Sequence, residues 1–208
     1  TADKVKRPKA VEKQIECFTV EEQKKIETAA LADKRPKMFG IVLCLYTGLR
    51  IGELLALEWS DVDFSKGEIS VNKSCHDSKK DGKYCRLMEA PKTLTSCRIV
   101  PIPKQLLPLF REKKKKSSSA FVVGEDKVQT VRSYQYSFSL LLRRIGVPHR
   151  GFHALRHTFA TRALECGMDV KTLSEILGHK NPTVTLNRYV HSLMPHKHEM
   201  MNRLGKLL

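Results

Sequence analysis

No stretch of this 208-residue chain approaches the ~18 apolar residues of a membrane span, and the opening Thr1-Ala2-Asp3-Lys4 carries no apolar run of the secretory kind. Six cysteines (Cys17, Cys44, Cys75, Cys85, Cys97, Cys166) lie far apart, with no C-x-x-C pair and no His/Cys spacing typical of zinc. They read as reduced cytosolic thiols. No internal repeat is apparent. Acidic residues are scarce: 22 Asp+Glu stand against 38 Lys+Arg, a formal charge of +16. That imbalance suits a polyanionic partner, nucleic acid first, although surplus lysine can also be a solubilising face. With 41% hydrophobic and 29% charged residues, the chain suits one globular domain with a sizeable core rather than disorder. A start without methionine on a basic, Pro-bearing segment (Lys4 to Lys9) is expected to be a cut from a longer protein with a preceding N-terminal part.

Thr19-Val20-Glu21-Glu22 has capping-box spacing, which predicts a helix from Thr19 to about Leu31. Met38, Phe39, Val42, Leu45 and Tyr46 recur at three- and four-residue spacing in a second helix that Gly48 ends. A short third helix spans Arg50 to Leu57. From Gly67 the period changes: Ile69 and Val71 alternate with polar residues, Lys83 to Met88 is expected to pair back, and Arg98 to Ile102 makes a third strand closed by Pro101 and Pro103. The expectation is one small antiparallel sheet, with Asp77 to Lys83 a polar turn between strands and Lys92 on a mobile turn after it. Lys104 to about Lys116 reads as a helix, and Lys113 to Ser119 as a flexible basic tether. Val131, Tyr134, Phe138, Leu141, Leu142 and Ile145 share one helical face, stopped by Gly146 and Pro148. Three further helices are predicted near 151–166, 169–177 and 182–190. The fold class is mainly α with a small antiparallel β-sheet (α+β).

Several polar residues carry chemistry. His153 and Arg156 stand three positions apart in an apolar-periodic helix, so both project to one side and can share a phosphate. Taken alone, such a pair is more often a surface or capping feature. Arg50 follows a glycine turn and can serve a ligand or pair with Glu53. His179, after Gly178, can cap a helix C-terminus, and Tyr189 can simply pack. Their order and local contexts, taken together, point past these separate readings.

Leu45-Tyr46-Thr47-Gly48-Leu49-Arg50-Ile51-Gly52-Glu53-Leu54, Pro91-Lys92-Thr93, His153-Ala154-Leu155-Arg156-His157-Thr158-Phe159-Ala160, Leu177-Gly178-His179 and Asn187-Arg188-Tyr189 closely resemble the catalytic domain of tyrosine recombinases, the phage-integrase family. The resemblance runs from about Phe18 to Tyr189 and is nearest to integrases of conjugative transposons and related phages. It implies the tyrosine recombinase catalytic-domain fold, and an enzyme that integrates or excises a mobile element by cleaving and rejoining DNA through a 3′-phosphotyrosyl link. It also implies roles. Arg50 and Arg156 clamp the non-bridging oxygens, Tyr189 is the nucleophile, and His153 is its base. Lys92 protonates the 5′-oxygen, and His179 donates to the phosphate. Glu53 is expected to orient Arg50, and His157, about a hundred degrees around the helix from Arg156, to pack or face solvent.

The resemblance further implies no cofactor and no metal, a bacterial cytoplasmic, nucleoid-associated setting, and double-stranded DNA recombination sites as substrate. A homotetramer on DNA with accessory DNA-bending or directionality proteins is expected, and no membrane partner. The domain expectation is a basic interdomain linker at 1–17, a catalytic domain at 18–190 and a tail helix at 191–208. The tail either folds back on its own domain or packs on a neighbouring protomer. Competing activities are type IB topoisomerase-like relaxation, protelomerase-like hairpin formation and a DNA-binding module without catalysis. The complete set of nucleophile, base, acid and phosphate ligands argues against the last.

Overall fold

The computed structural model describes residues 16–80, 83–89, 97–124, 129–179, 181–189 and 201–202. Helix α1 (Val20–Ala32) opens as the capping box predicts: the Thr19 hydroxyl accepts from the Glu22 amide at 3.2 Å, and the Glu22 carboxylate accepts from the Thr19 amide at 2.8 Å. Helix α2 (Pro36–Thr47) is central. Every residue from Met38 to Leu45 is buried, so its apolar surface wraps around the helix instead of marking one face. Gly48, at φ 64°, ends it in the left-handed region that a side chain would strain. Helix α3 (Ile51–Ala56) follows directly, with Arg50 at its N-cap.

The β structure divides where one sheet was expected. Strands β1 (Val62–Asp63), β2 (Glu68–Val71) and β5 (Arg98–Pro101) form an antiparallel sheet in the order β1-β2-β5, with Ile69 opposite both Val62 and Val100. Strand β4 (Lys83–Glu89) does not join it. It pairs with β3 (Ser74–Lys80) in a separate hairpin, Cys75 facing Met88. Residues 77–80, read as a turn, are therefore strand. Their sequence, Asp-Ser-Lys-Lys, has no apolar alternation, and the segment is held by main-chain pairing and by Asp77. That carboxylate accepts from the amides of Val131 and Arg132 at 2.7 and 2.9 Å, at the start of α5 (Val131–Arg144).

A 3-10 turn at Lys104–Leu106 leads into α4 (Leu107–Lys116). Lys113 to Lys116, where the expected helix and the expected tether overlapped, form its last turn, where cations meet the negative end of the helix dipole. Lys116 pairs with Glu112 at 2.6 Å, and the Lys114 ammonium lies 5.5 Å from the centre of the Trp59 ring. Helices α6 (His153–Glu165), α7 (Val170–Leu177) and α8 (Pro182–Tyr189) complete the described elements. Residues 1–15 of the expected linker, the turn carrying Lys92, and the tail after Tyr189 apart from 201–202 lie outside the described residues. Among the described residues no helix is long and apolar enough to cross a membrane.

The main core joins α1 to α5 and the β-sheet. A smaller cluster lies beneath α6 to α8, formed by Ala160, Leu164, Leu173, Leu177 and the ring of Tyr189. Phe18 pins the entering chain to α6: its amide donates to the Thr158 hydroxyl at 2.9 Å and its carbonyl accepts from Arg162 at 3.0 Å.

Close packing of α2 on α5 turns on Gly40. The Tyr134 hydroxyl donates to the Lys37 carbonyl and occupies the space a Cβ at residue 40 would need, and Val123 would lie 2.6 Å from that atom. Gly40→Ala is expected to destabilise the fold by about 1–3 kcal/mol despite the better helix propensity of alanine. Denaturant midpoints at constant slope measure this; an unchanged or higher midpoint contradicts the packing account.

Candidate active site

An α-helix leaves its last carbonyls without helical partners, and α7 hands three consecutive ones to three arginines. Arg98 on β5 donates from Nε to the Ile176 carbonyl at 2.6 Å. Arg156 on α6 donates to Leu177 at 2.6 Å, and Arg50, at the head of α3, donates to Gly178 at 3.2 Å. Cations that repel one another are thus gathered on the negative end of one helix dipole. Gly178 permits the approach: its φ is 65°, and a Cβ there would meet the Arg98 side chain at 3.0–3.2 Å.

Arg156 is the centre of the network, only 2% exposed. Besides Leu177 it donates to the Gly48 carbonyl at 2.7 Å, and its second terminal nitrogen lies 3.1 Å from His179 Nε2. The glycine turns that end α2 and α7 therefore converge on one guanidinium. Burial, then repulsion from Arg50, lowers its pKa to about 9, so it stays charged at neutral pH.

Glu53 supplies the counter-charge. Burial pushes its carboxyl upward, but two hydrogen bonds from Arg98 at 2.9 and 2.8 Å and the charges of Arg98 and Arg50 outweigh that and hold it at about 2. Arg50 reaches the same carboxylate at 2.8 Å, while the Arg50 amide donates to it at 2.9 Å. The Arg50 pairing weighed against a ligand role is present, and the side chain remains 38% exposed.

His179 is fixed from its other side by the buried Thr185 hydroxyl, 2.7 Å from Nδ1. Tyr189 is 4% exposed, and its hydroxyl lies 2.7 Å from His157 Nδ1. This corrects the expectation for His157. The hundred-degree rotation from Arg156 aims it at Tyr189, the last residue of α8. His153 is exposed and stands edge-on to His157, ring centres 4.6 Å apart. Arg50, Arg156, His179 and Glu53 thus share one network, Tyr189 and His153 meet at His157, and Lys92 lies outside the described residues.

Sequence reasoning also passed over Arg98. A signal was available: Arg98 lies two residues from the buried Val100, on the same strand face, and a charge on a buried face demands a partner. Among the described residues, no group of three or more His, Cys, Asp or Glu side chains is placed to hold a metal ion.

Residues 12–196 match the phage integrase family. The chain belongs to this family. Among integrase-family relatives it is 37% identical over 219 residues to a protein described as tyrosine recombinase XerC-like from Caldanaerobacter subterraneus subsp. tengcongensis, covering 95% of this chain and 56% of that protein. It is 30% identical over 209 residues to the transposase from transposon Tn916 of Enterococcus faecalis, covering 91% of this chain and 51% of that one. The chain spans about half the length of these curated relatives. Its fold matches the Tn1549 transposon integrase, solved in complex with transposon right end DNA, with a TM-score of 0.79 at 27% identity over 93% of this chain and 67% of that one. The expected catalytic-domain fold and the likeness to conjugative-transposon integrases both hold.

The Arg98–Glu53 pair, with side chains 6% and 7% exposed, gives a stability test for this integrase-family site. Glu53 titrates at about 2 in the fold against an ordinary 4.5, so its contribution is complete above about pH 4.5 and is lost as pH falls towards 2. It is on the order of 3 kcal/mol. Arg98→Met is expected to cost about 3–5 kcal/mol at pH 7 by leaving a buried carboxylate short of its partner. It should also shrink the loss of stability between pH 4.5 and 2. Denaturant unfolding across that range checks both, and an unaltered acid dependence contradicts the assignment.

Proposed function

We propose that this chain is the catalytic part of a tyrosine site-specific recombinase, which cleaves and rejoins double-stranded DNA to integrate or excise a mobile element. The observation that carries the reading is the convergence of Arg50, Arg156 and His179 on the end of α7, with the Tyr189 phenol held beside the same helix, α6, that supplies Arg156. Fixed cations and a tyrosine nucleophile are what phosphodiester transfer needs, because the anionic oxygens otherwise repel the attacking group. The relatives' names, the DNA in the Tn1549 complex and the charge of +16 support the same reading.

In this mechanism the non-bridging oxygens meet Arg50, Arg156 and His179. Among the described residues the carbonyls of Gly48 and Leu177 take two of the five N–H donors of Arg156, and His179 must exchange its Nε2 contact with Arg156 for a phosphate oxygen before that ring nitrogen can donate. The Tyr189 oxygen attacks phosphorus, the bond to the 5′-oxygen breaks, and a 3′-phosphotyrosyl ester forms. Lys92 protonates the departing 5′-oxygen, and His153 serves as base, both assigned through the family resemblance. A 5′-hydroxyl from another duplex then attacks the ester. The phosphoester bond is exchanged rather than hydrolysed, so rejoining needs no ATP.

In this reading residues 18–190 are the catalytic domain, 1–17 a basic linker, and 191–208 a tail that packs on its own domain or on a neighbouring protomer. A homotetramer on DNA, with accessory bending or directionality proteins, provides the partner duplexes. The setting is the bacterial cytoplasm, at the nucleoid.

Nicked duplexes carrying candidate recombination sites should give a denaturation-resistant adduct at the 3′-phosphate, absent in Tyr189→Phe. Arg50→Ala should slow adduct formation about 10²–10³-fold while weakening DNA binding far less. No adduct on any site, including with the chain joined to a preceding N-terminal part, overturns the reading in favour of a binding module.

A further inference from the structure

We propose that His157 is a further catalytic residue, taking the proton of Tyr189 as the phenol attacks phosphorus. The inference rests on the recombinase reading above and moves one role within it: the base, given to His153 through the family resemblance, becomes His157. A phenol with a reference pKa of roughly 10 is protonated at neutral pH, so attack needs an acceptor on the hydroxyl itself. His157 Nδ1 is there, at 2.7 Å. The histidine and tyrosine rings are tilted by 58° with centres 5.8 Å apart, and the tyrosine ring is packed into the small cluster under α6 to α8. The bond therefore joins two positioned groups and not two mobile side chains.

In this geometry the Tyr189 hydroxyl donates to Nδ1, which requires the tautomer with its proton on Nε2. His157 follows Arg156 in α6, so the acceptor and the buried guanidinium are carried by adjacent residues of one helix. His153, exposed and edge-on to His157, lies on the preceding turn of that helix and is placed to influence the accepting ring.

The step balances. As the bond from the tyrosine oxygen to phosphorus forms and that from phosphorus to the 5′-oxygen breaks, the phenolic proton passes to Nδ1. The 5′-oxygen takes a proton from the acid of the reading above. On rejoining, an incoming 5′-hydroxyl loses its proton to that acid's conjugate base, and His157 returns its own to the departing phenolate.

The test compares His157→Ala and His157→Asn with the wild-type chain on nicked duplexes. Each is prepared with tyrosine or with a fluorinated tyrosine of lower phenol pKa at position 189, and thermal melting and DNA binding confirm folding. Asparagine offers a carbonyl that can accept the hydrogen bond but cannot take the proton. Both variants are expected to lose about 10²–10⁴-fold in adduct rate. Fluorinated tyrosine should restore at least tenfold of that loss in the variants and accelerate the wild type much less. A near-normal rate for His157→Asn, or no rescue by the fluorinated residue, overturns the assignment while the wild-type adduct leaves the recombinase reading standing. Absence of the wild-type adduct on every site, including with the chain joined to the N-terminal part of a longer relative, overturns both.

Discussion

The described site depends on the C-terminus of α7. Ile176, Leu177 and Gly178 offer successive carbonyls, and Arg98, Arg156 and Arg50 accept that offer from β5, α6 and the start of α3. Three guanidinium groups could not otherwise be brought together in a largely buried space without severe repulsion. The helix dipole and the Glu53 carboxylate offset that repulsion, and burial strengthens each contact by excluding water. Two of the cations, Arg98 and Arg156, are almost fully enclosed, whereas Arg50 remains partly open to solvent.

This arrangement divides labour among similar residues. Arg98 joins Glu53 to the α7 end and faces inward, so its part is positioning. Arg156 bridges the turns after α2 and α7 and is held before any ligand arrives. Arg50 combines an anchor on Glu53 with an accessible edge. A site built in this way spends its ordering cost during folding, and in the proposed reaction its dipoles need little reorganisation when charge develops. The glycines at 48 and 178 are part of the same device, since both end helices in left-handed backbone at the points where Arg156 is received.

Much of this was legible in the sequence because it lies in strong local signals. Thr19 and Glu22 marked the first helix, Gly48 and Gly178 marked helix ends, and the apolar face of α5 was read directly from Tyr134, Phe138, Leu141 and Leu142. The hairpin partner β3 was missed because Ser74 to Lys80 carries almost no apolar period, and a strand held by pairing leaves little trace in composition. Arg98 was passed over, and the contact of His157 with Tyr189 was not foreseen, for a different reason. Their partners are 45 and 32 positions away, at Glu53 and Tyr189, and the expected local geometry could not say which helix end would return to them.

The central claim is that the α7 terminus presents a preassembled phosphate clamp. The most direct measurement is a crystal structure of the Tyr189→Phe chain bound to a duplex recombination site. The account predicts one backbone phosphate within about 3 Å of Arg50, Arg156 and His179, with Arg156 still bonded to the carbonyls of Gly48 and Leu177. A bound duplex whose phosphates avoid this cluster, or an Arg156 that must release both carbonyls to reach one, would contradict it.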